Sequence, residues 1–215
     1  THYVLILAGG QGSRLNKTKI PKQFLTLNKT PILMHSIRAF KEADPQVKIY
    51  IGLQENHKKI WSDLCIQHDF KIEHKIYMAG KERFYTVFSG LESICKDHDP
   101  HDGIVSIHDA ARPFINKKFI LDLLHPFKDS KYKAVIPVLS LKNSIINYDK
   151  NDYQIVNRDH YMLCQTPQCF KLKSILKAYN GIIAEFRNQQ TQKTNRINHI
   201  LQNSLHDDLT IFNKF

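Results

Sequence analysis

Between Leu5 and Phe24 the chain reads LILAGGQGSRLNKTKIPKQF, three glycines, an arginine and three lysines directly behind an apolar run. Gly9, Gly10 and Gly12, following a strand, let the backbone turn tightly and bring N–H groups close to an anion. The P-loop spacing GxxxxGK[ST] is not met. The dinucleotide fingerprint GxGxxG starts at Gly10-Gln11-Gly12, but Leu15 stands where its third glycine belongs. A nicotinamide site also has little use for the cations Arg14 and Lys22. A nucleoside triphosphate does, because reaction at phosphorus spreads negative charge over the non-bridging oxygens. The loop therefore points to phosphate chemistry rather than hydride transfer.

A second cluster, HDAARPF (108–114), places Asp109 and Arg112 after another apolar run. Asp109 is expected at a strand's carboxyl end, although an aspartate there could instead cap the following helix. His108 is expected to pack rather than to act as a base.

The elements that must position these residues alternate. YVLIL (3–7) is a continuous apolar run, as in a strand buried on both faces. TPILMHSIRAFKEA (30–43) predicts a helix with Thr30 as N-cap and Pro31 at the first position. Strands follow at 47–53, 70–77, 103–109 and 133–138, with helices around Trp61, over 85–95 and over 117–127 between them. This rhythm predicts an α/β fold built on a doubly wound, mainly parallel sheet. Such sheets bind ligands beyond the carboxyl ends of their strands, so AGGQGSR and DAARP can share one crevice. Over residues 139–165 the rhythm changes to two short strands around a polar turn at 148–152, a β-hairpin projecting from the sheet.

Taken together, LAGGQGSRL with PKQFL, AGKERFYTVFSGL (79–91), HDAARPF and NRDHYMLCQTPQCF (157–170) resemble the 2-C-methyl-D-erythritol 4-phosphate cytidylyltransferases of the non-mevalonate isoprenoid pathway. Four motifs stand in that family's order over roughly the first 180 residues. The resemblance implies a single Rossmann-like nucleotidyltransferase domain over residues 1–215, transferring CMP from CTP to a polyol phosphate with Mg2+ or another divalent cation. It places Arg14 and Lys22 on the triphosphate, has Ala8, Gly9 and Gly10 present backbone groups to the nucleotide, and counts Gly12 among the nucleotide-binding residues. Gly80 and Lys81 fall where the main chain reads the cytosine edge, with Thr86 where the family usually has serine. Asp109 falls at the metal and the ribose or polyol, and Arg112 at the second substrate. Arg158 and Thr166 match residues that reach the polyol phosphate across a homodimer, which makes the 139–165 hairpin a dimerisation arm. Ribitol-5-phosphate cytidylyltransferases share nearly all these motifs and are the alternative.

The pattern departs from the family in two places. The segment PVxDT reads Pro137-Val138-Leu139-Ser140-Leu141. Residues 180–215 lack the TDDAS and NIKxT motifs; they hold Lys193 and Asp207-Asp208, and only 196–205 look helical. A CTP-binding homologue with weak or no transfer activity is therefore a further alternative.

Composition narrows the class. The 215 residues carry a net charge of +11, but the lysines are scattered, with no basic run of five or six and no RNP1-like stacking motif. Nucleic acid is not the expected partner. No run approaches the ~18 apolar residues of a membrane span, and the first residues read as a strand rather than a leader. Four cysteines without CxxC or metal spacing fit free thiols, so a cytoplasmic location is expected.

Overall fold

Apolar residues at a period of two divide each central strand between two cores. Residues 1–10, 20–99, 103–149, 152–190 and 207–214 are described in the computed structural model of the chain. In β1 (His2–Leu7), Val4 and Ile6 enter one core, while Tyr3 and Leu5 enter the other. A strand covered on both faces has no room for polar alternation, hence the continuous apolar run. After it, β2 (Thr26–Leu27) and β3 (Thr30–Pro31) form a small hairpin. This takes Thr30 and Pro31 out of the predicted helix start. The helix α1 (Ile32–Ala43) begins one residue later, with Pro31 at its cap and no side-chain cap bond.

The chain continues through β4 (Lys48–Leu53), α2 (Glu55–Gln67), β5 (Lys75–Met78), α3 (Arg83–Asp97) and β6 (Ile104–Asp109). The strand expected over 70–77 is thus only its second half. Then come α4 (Lys117–Leu124), β7 (Ala134–Val135), β8 (Val138–Ser140), β9 (Ile145–Asp149), β10 (Asp152–Val156), β11 (Met162–Cys164) and β12 (Gln168–Lys171). Two helices close the described chain, α5 (Leu172–Gln190) and α6 (Asp208–Lys214).

The main sheet has the order β5-β4-β1-β6-β12-β7. Its β5, β4, β1 and β6 pair in parallel, while β12 is antiparallel to both β6 and β7. The mainly parallel α/β expectation holds, with an antiparallel strand inserted beside β6. Packed on one face are Leu33, Ile37 and Phe40 of α1, Trp61 of α2 and Ile120 of α4. Covering the other are Phe84, Leu91 and Ile94 of α3, Ile175 and Tyr179 of α5, and Ile211 of α6.

The strand expected over 133–138 breaks in two: β7 stays in the main sheet and β8 pairs with β11 instead. Between them in sequence, β9 and β10 form the predicted hairpin, with Ile146 opposite Ile155 and Tyr148 opposite Tyr153. The predicted helix over 196–205 lies outside the described residues. Within the segment expected to be atypical, α5 runs on to Gln190, and α6 returns to the core through Ile211.

Candidate active site

Leu7 ends β1 and Asp109 ends β6, and the two are register partners. The two motifs, a hundred residues apart in sequence, therefore emerge level with one another. Between them opens a cleft of about 350 Å³ lined by Gly9, Gly10, Lys22, Gln23, Gly80 to Arg83, Thr86 and Asp109 to Arg112. This is the crevice that parallel α/β sheets present at their strand carboxyl ends. The start of α3 at Arg83 contributes the positive end of a helix dipole to its wall. Gly12 and Arg14 lie outside the described residues.

The glycine turn is held from beneath. Gln23, buried, donates from Nε2 to the carbonyls of Ala8 (2.6 Å) and Gly10 (3.2 Å). The Ala8 N–H donates to the Gly52 carbonyl at 3.0 Å, extending the sheet by one residue. Gly9 and Gly10, which follow it, line the cleft. Gly9 packs so closely on Ala79 that an added Cβ would sit 2.5 Å from the Ala79 Cβ. Gly80 is equally constrained: a Cβ there would meet the backbone carbon of Tyr85 at 2.8 Å. Its carbonyl accepts from Gln54 Nε2 at 3.1 Å. Thr86 is buried under this turn, donating from its hydroxyl to the Glu82 carbonyl at 3.0 Å.

Asp109 does not cap a helix; α4 is capped by Asn116, which accepts from the Phe119 N–H at 2.9 Å. The carboxylate instead faces two arginines. Arg112 Nε donates to Oδ2 at 3.1 Å, and Arg83 Nη2 stands 3.7 Å from Oδ1. Arg112 is itself tied by Nη1 to Gln165 Oε1 at 2.5 Å. Arg83 donates from Nη1 to Asp208 Oδ2 at 2.6 Å. Burial opposes the Arg83 charge, but Asp208 and then Asp109 more than offset it, so its pKa is raised.

Behind the cleft, His108 is fully buried and lies 3.0 Å by Nδ1 from Thr166 Oγ1 and 3.1 Å by Nε2 from the Arg112 carbonyl. Thr166 also accepts from the Asp109 N–H at 3.3 Å. Thr166 is buried beside its own chain's Asp109, because β12 inserts next to β6. Arg158 sits in the arm, donating to the Lys142 carbonyl, and does not line the cleft. Lys81 lines the cleft.

Sequence reasoning misses Arg83, Gln23 and Gln165 as site residues. All three stand inside the quoted motifs, and that membership is the available signal. Nothing local marks Asp208, whose partner lies 125 residues away.

The buried imidazoles carry a pH consequence. Burial holds the pKa of His108, and of the buried His2, down to about 4 from 6.5. The folded state thus keeps both neutral, while the unfolded chain takes up protons below pH 6.5. Their stabilisation is fully present above that pH and is lost as the pH falls towards 4. At pH 5 the expected loss is about 2 kcal/mol for each imidazole. Urea unfolding at pH 7.5 and 5.0 measures it, and equal midpoints would exclude it.

Known proteins share this arrangement of chain and fold. The sequence profile of the 2-C-methyl-D-erythritol 4-phosphate cytidylyltransferase family matches residues 2–202. A protein of that name from Azobacteroides pseudotrichonymphae is 39% identical over 179 residues, covering 83% of this chain and 77% of that one. Its namesake from Bacteroides thetaiotaomicron is 34% identical over 183 residues, covering 85% and 80%. The crystal structure of the Francisella tularensis enzyme of the same name superposes with a TM-score of 0.72 at 26% identity, covering 100% of this chain and 86% of that one. With the profile spanning nearly the whole sequence and relatives above 30% identity, the chain belongs to the 2-C-methyl-D-erythritol 4-phosphate cytidylyltransferase family.

Proposed function

We propose that this protein transfers CMP from CTP to 2-C-methyl-D-erythritol 4-phosphate, releasing pyrophosphate. The observation that carries the reading is the register of Leu7 with Asp109, which puts the glycine turn and the Asp109–Arg112 pair on one cleft. A phosphate oxygen of the polyol phosphate forms a bond to the α-phosphorus of CTP, and the bond from that phosphorus to the bridging oxygen of the β-phosphate breaks. The nucleophile is already an anion at neutral pH, so no base is needed to generate it. What the site must supply is positive charge. Lys22 at the cleft mouth and Arg14 serve the triphosphate, and Arg112 serves the incoming phosphate. Gly9, Gly10, Gly12, Gly80 and Lys81 hold the nucleotide by main chain, with Thr86 bracing the turn that carries Gly80.

Asp109 suits a divalent cation shared with the substrate. Among the described residues no group of three or more His, Cys, Asp or Glu forms a protein cage. One cleft carboxylate plus substrate phosphates is the donor set that Mg2+ takes in nucleotide enzymes. When bound, the ion would neutralise phosphate charge beside Asp109.

The assay is pyrophosphate release from CTP and Mg2+, with methylerythritol phosphate and ribitol 5-phosphate offered separately. Release with the first alone supports the proposal, and release with the second alone moves the acceptor to ribitol phosphate. No release with either, from protein that binds CTP, overturns transfer.

The 139–165 arm supports a homodimer. Ile146, Tyr148, Tyr153 and Ile155 share one face of a two-stranded ribbon, with Ile155 74% and Tyr153 63% exposed. An isolated ribbon of two strands is marginal in water, and a second copy would cover this face. Replacing Ile146 and Ile155 by lysine is expected to give a monomer in analytical ultracentrifugation where the unmodified protein sediments as a dimer. A dimer unaffected by the change would remove the arm from the interface.

A further inference from the structure

We propose that Arg83 is a positioning residue for Asp109, held in place by the C-terminal helix. The inference rests on the function proposed above and extends the site to α6. Arg83 stands between two carboxylates and shares itself unequally. Its Nη1 is 2.6 Å from Asp208 Oδ2, while its Nη2 stays 3.7 Å from Asp109 Oδ1, beyond a hydrogen bond. Asp208 is wholly buried and receives a second donor, the Tyr179 hydroxyl, at 2.5 Å. Its neighbour Asp207 accepts from Gln168 Nε2 at 2.8 Å, which ties the start of α6 to β12, the strand beside β6.

The consequence is geometric. A guanidinium without Asp208 would be free to close on Asp109 with two parallel bonds, the pairing it favours. Asp208 keeps it back. Asp109 thus retains the favourable field of Arg83 while its Oδ1 carries no bond from that guanidinium. On the opposite side Arg112 bonds only Oδ2 and is tethered in turn by Gln165. The C-terminal helix thereby sets which lone pairs of Asp109 face the cleft, although α6 lines none of it.

A cycle of variants in the full-length protein tests this: Arg83→Gln with Asp208→Asn, Asp109→Asn, and all three together. The first replaces the ion pair with a neutral amide pair, leaving no buried charge unmatched. It is expected to melt within a few degrees of the unmodified protein and to bind CTP, without divalent ion, within about twofold. Its kcat should fall about tenfold or more. In the Asp109→Asn background the same two changes should alter kcat less than twofold, because a residue acting through another shows no effect once that other is gone.

Unchanged kcat at a lowered melting temperature would make the pair a simple anchor and overturn the proposal. So would effects that add to those of Asp109→Asn, or a loss confined to CTP affinity, which would make Arg83 a nucleotide ligand. If the double variant does not fold, Arg83→Lys keeps the Asp208 pair with a single ammonium that cannot face both carboxylates. It should lower kcat at least fivefold at an unchanged melting temperature, and full activity would overturn the proposal.

The cycle is also read without turnover, as Mn2+ binding to the protein–CTP complex by electron paramagnetic resonance. A shift of fivefold or more that vanishes in the Asp109→Asn background supports the positioning role even where CMP transfer itself fails. Failed transfer overturns only the functional reading, whereas missing Mn2+ coupling overturns the role of Arg83.

Discussion

Replacing Lys22 with alanine is expected to lower kcat for CMP transfer by about 10² to 10³, the usual cost of deleting one preorganised charge at a reacting oxyanion. Lys22 begins the short turn Lys22–Phe24, whose Gln23 and Phe24 are buried, and lines the same cleft as Asp109. The neighbouring Gln23 is bonded to the glycine turn, so the ammonium is carried by the same rigid unit as Gly9 and Gly10. Little ordering is left for the moment of reaction. Because charge grows on the phosphate oxygens in the transition state, kcat should fall more than CTP affinity. Steady-state kinetics beside CTP calorimetry measures the split. A change of equal size in KM and none in kcat would mean that Lys22 binds ground state and transition state alike. Arginine at this position is expected to restore only part of the rate, since a guanidinium is larger and differently aimed.

The largest expected effect on stability is at the other end of the chain. Asp208→Ala removes a buried carboxylate from Arg83 and from the Tyr179 hydroxyl at once. Breaking one side of a buried ion pair typically costs about 3–5 kcal/mol, because the remaining charge is left without its partner. Here the low end, about 3 kcal/mol, is expected. The Arg83 side chain is 24% exposed and keeps Asp109 at 3.7 Å. The seven residues of α6 are too few to hold a helix alone, so their docking depends on this pair and on Ile211. Urea unfolding followed by circular dichroism gives the number. A loss below 1 kcal/mol would show that apolar contacts suffice to dock the helix. Asp208→Asn, which keeps the shape and one acceptor, should cost less than alanine.

Several parts of this protein are written in short stretches. The apolar run of β1 requires burial on both faces, and the period of α1 requires a single buried stripe; both patterns lie within a few residues of sequence and are legible there. The glycine turn and the Asp109 cluster each end an apolar strand, and strand direction in a parallel sheet puts such ends on one side. That is why the cleft could be anticipated from two motifs a hundred residues apart. The β9–β10 hairpin was legible for the same local reason, its apolar alternation around a polar turn.

Other features depend on partners distant in sequence. Nothing in QCFK announces that β12 runs antiparallel beside β6, yet that pairing buries Thr166 against His108 and Asp109. The split of residues 133–140 between two sheets follows from which neighbours each half finds, not from its own apolar pattern. In the sequence Asp207 and Asp208 are simply two adjacent carboxylates; tertiary packing seals Asp208 from water and makes Arg83 its partner. Sequence thus determined the elements and the chemical types at the strand ends, because propensity and periodicity are local. Only the tertiary structure decided which buried charge meets which, because desolvation and ion pairing are set by groups that folding alone brings together.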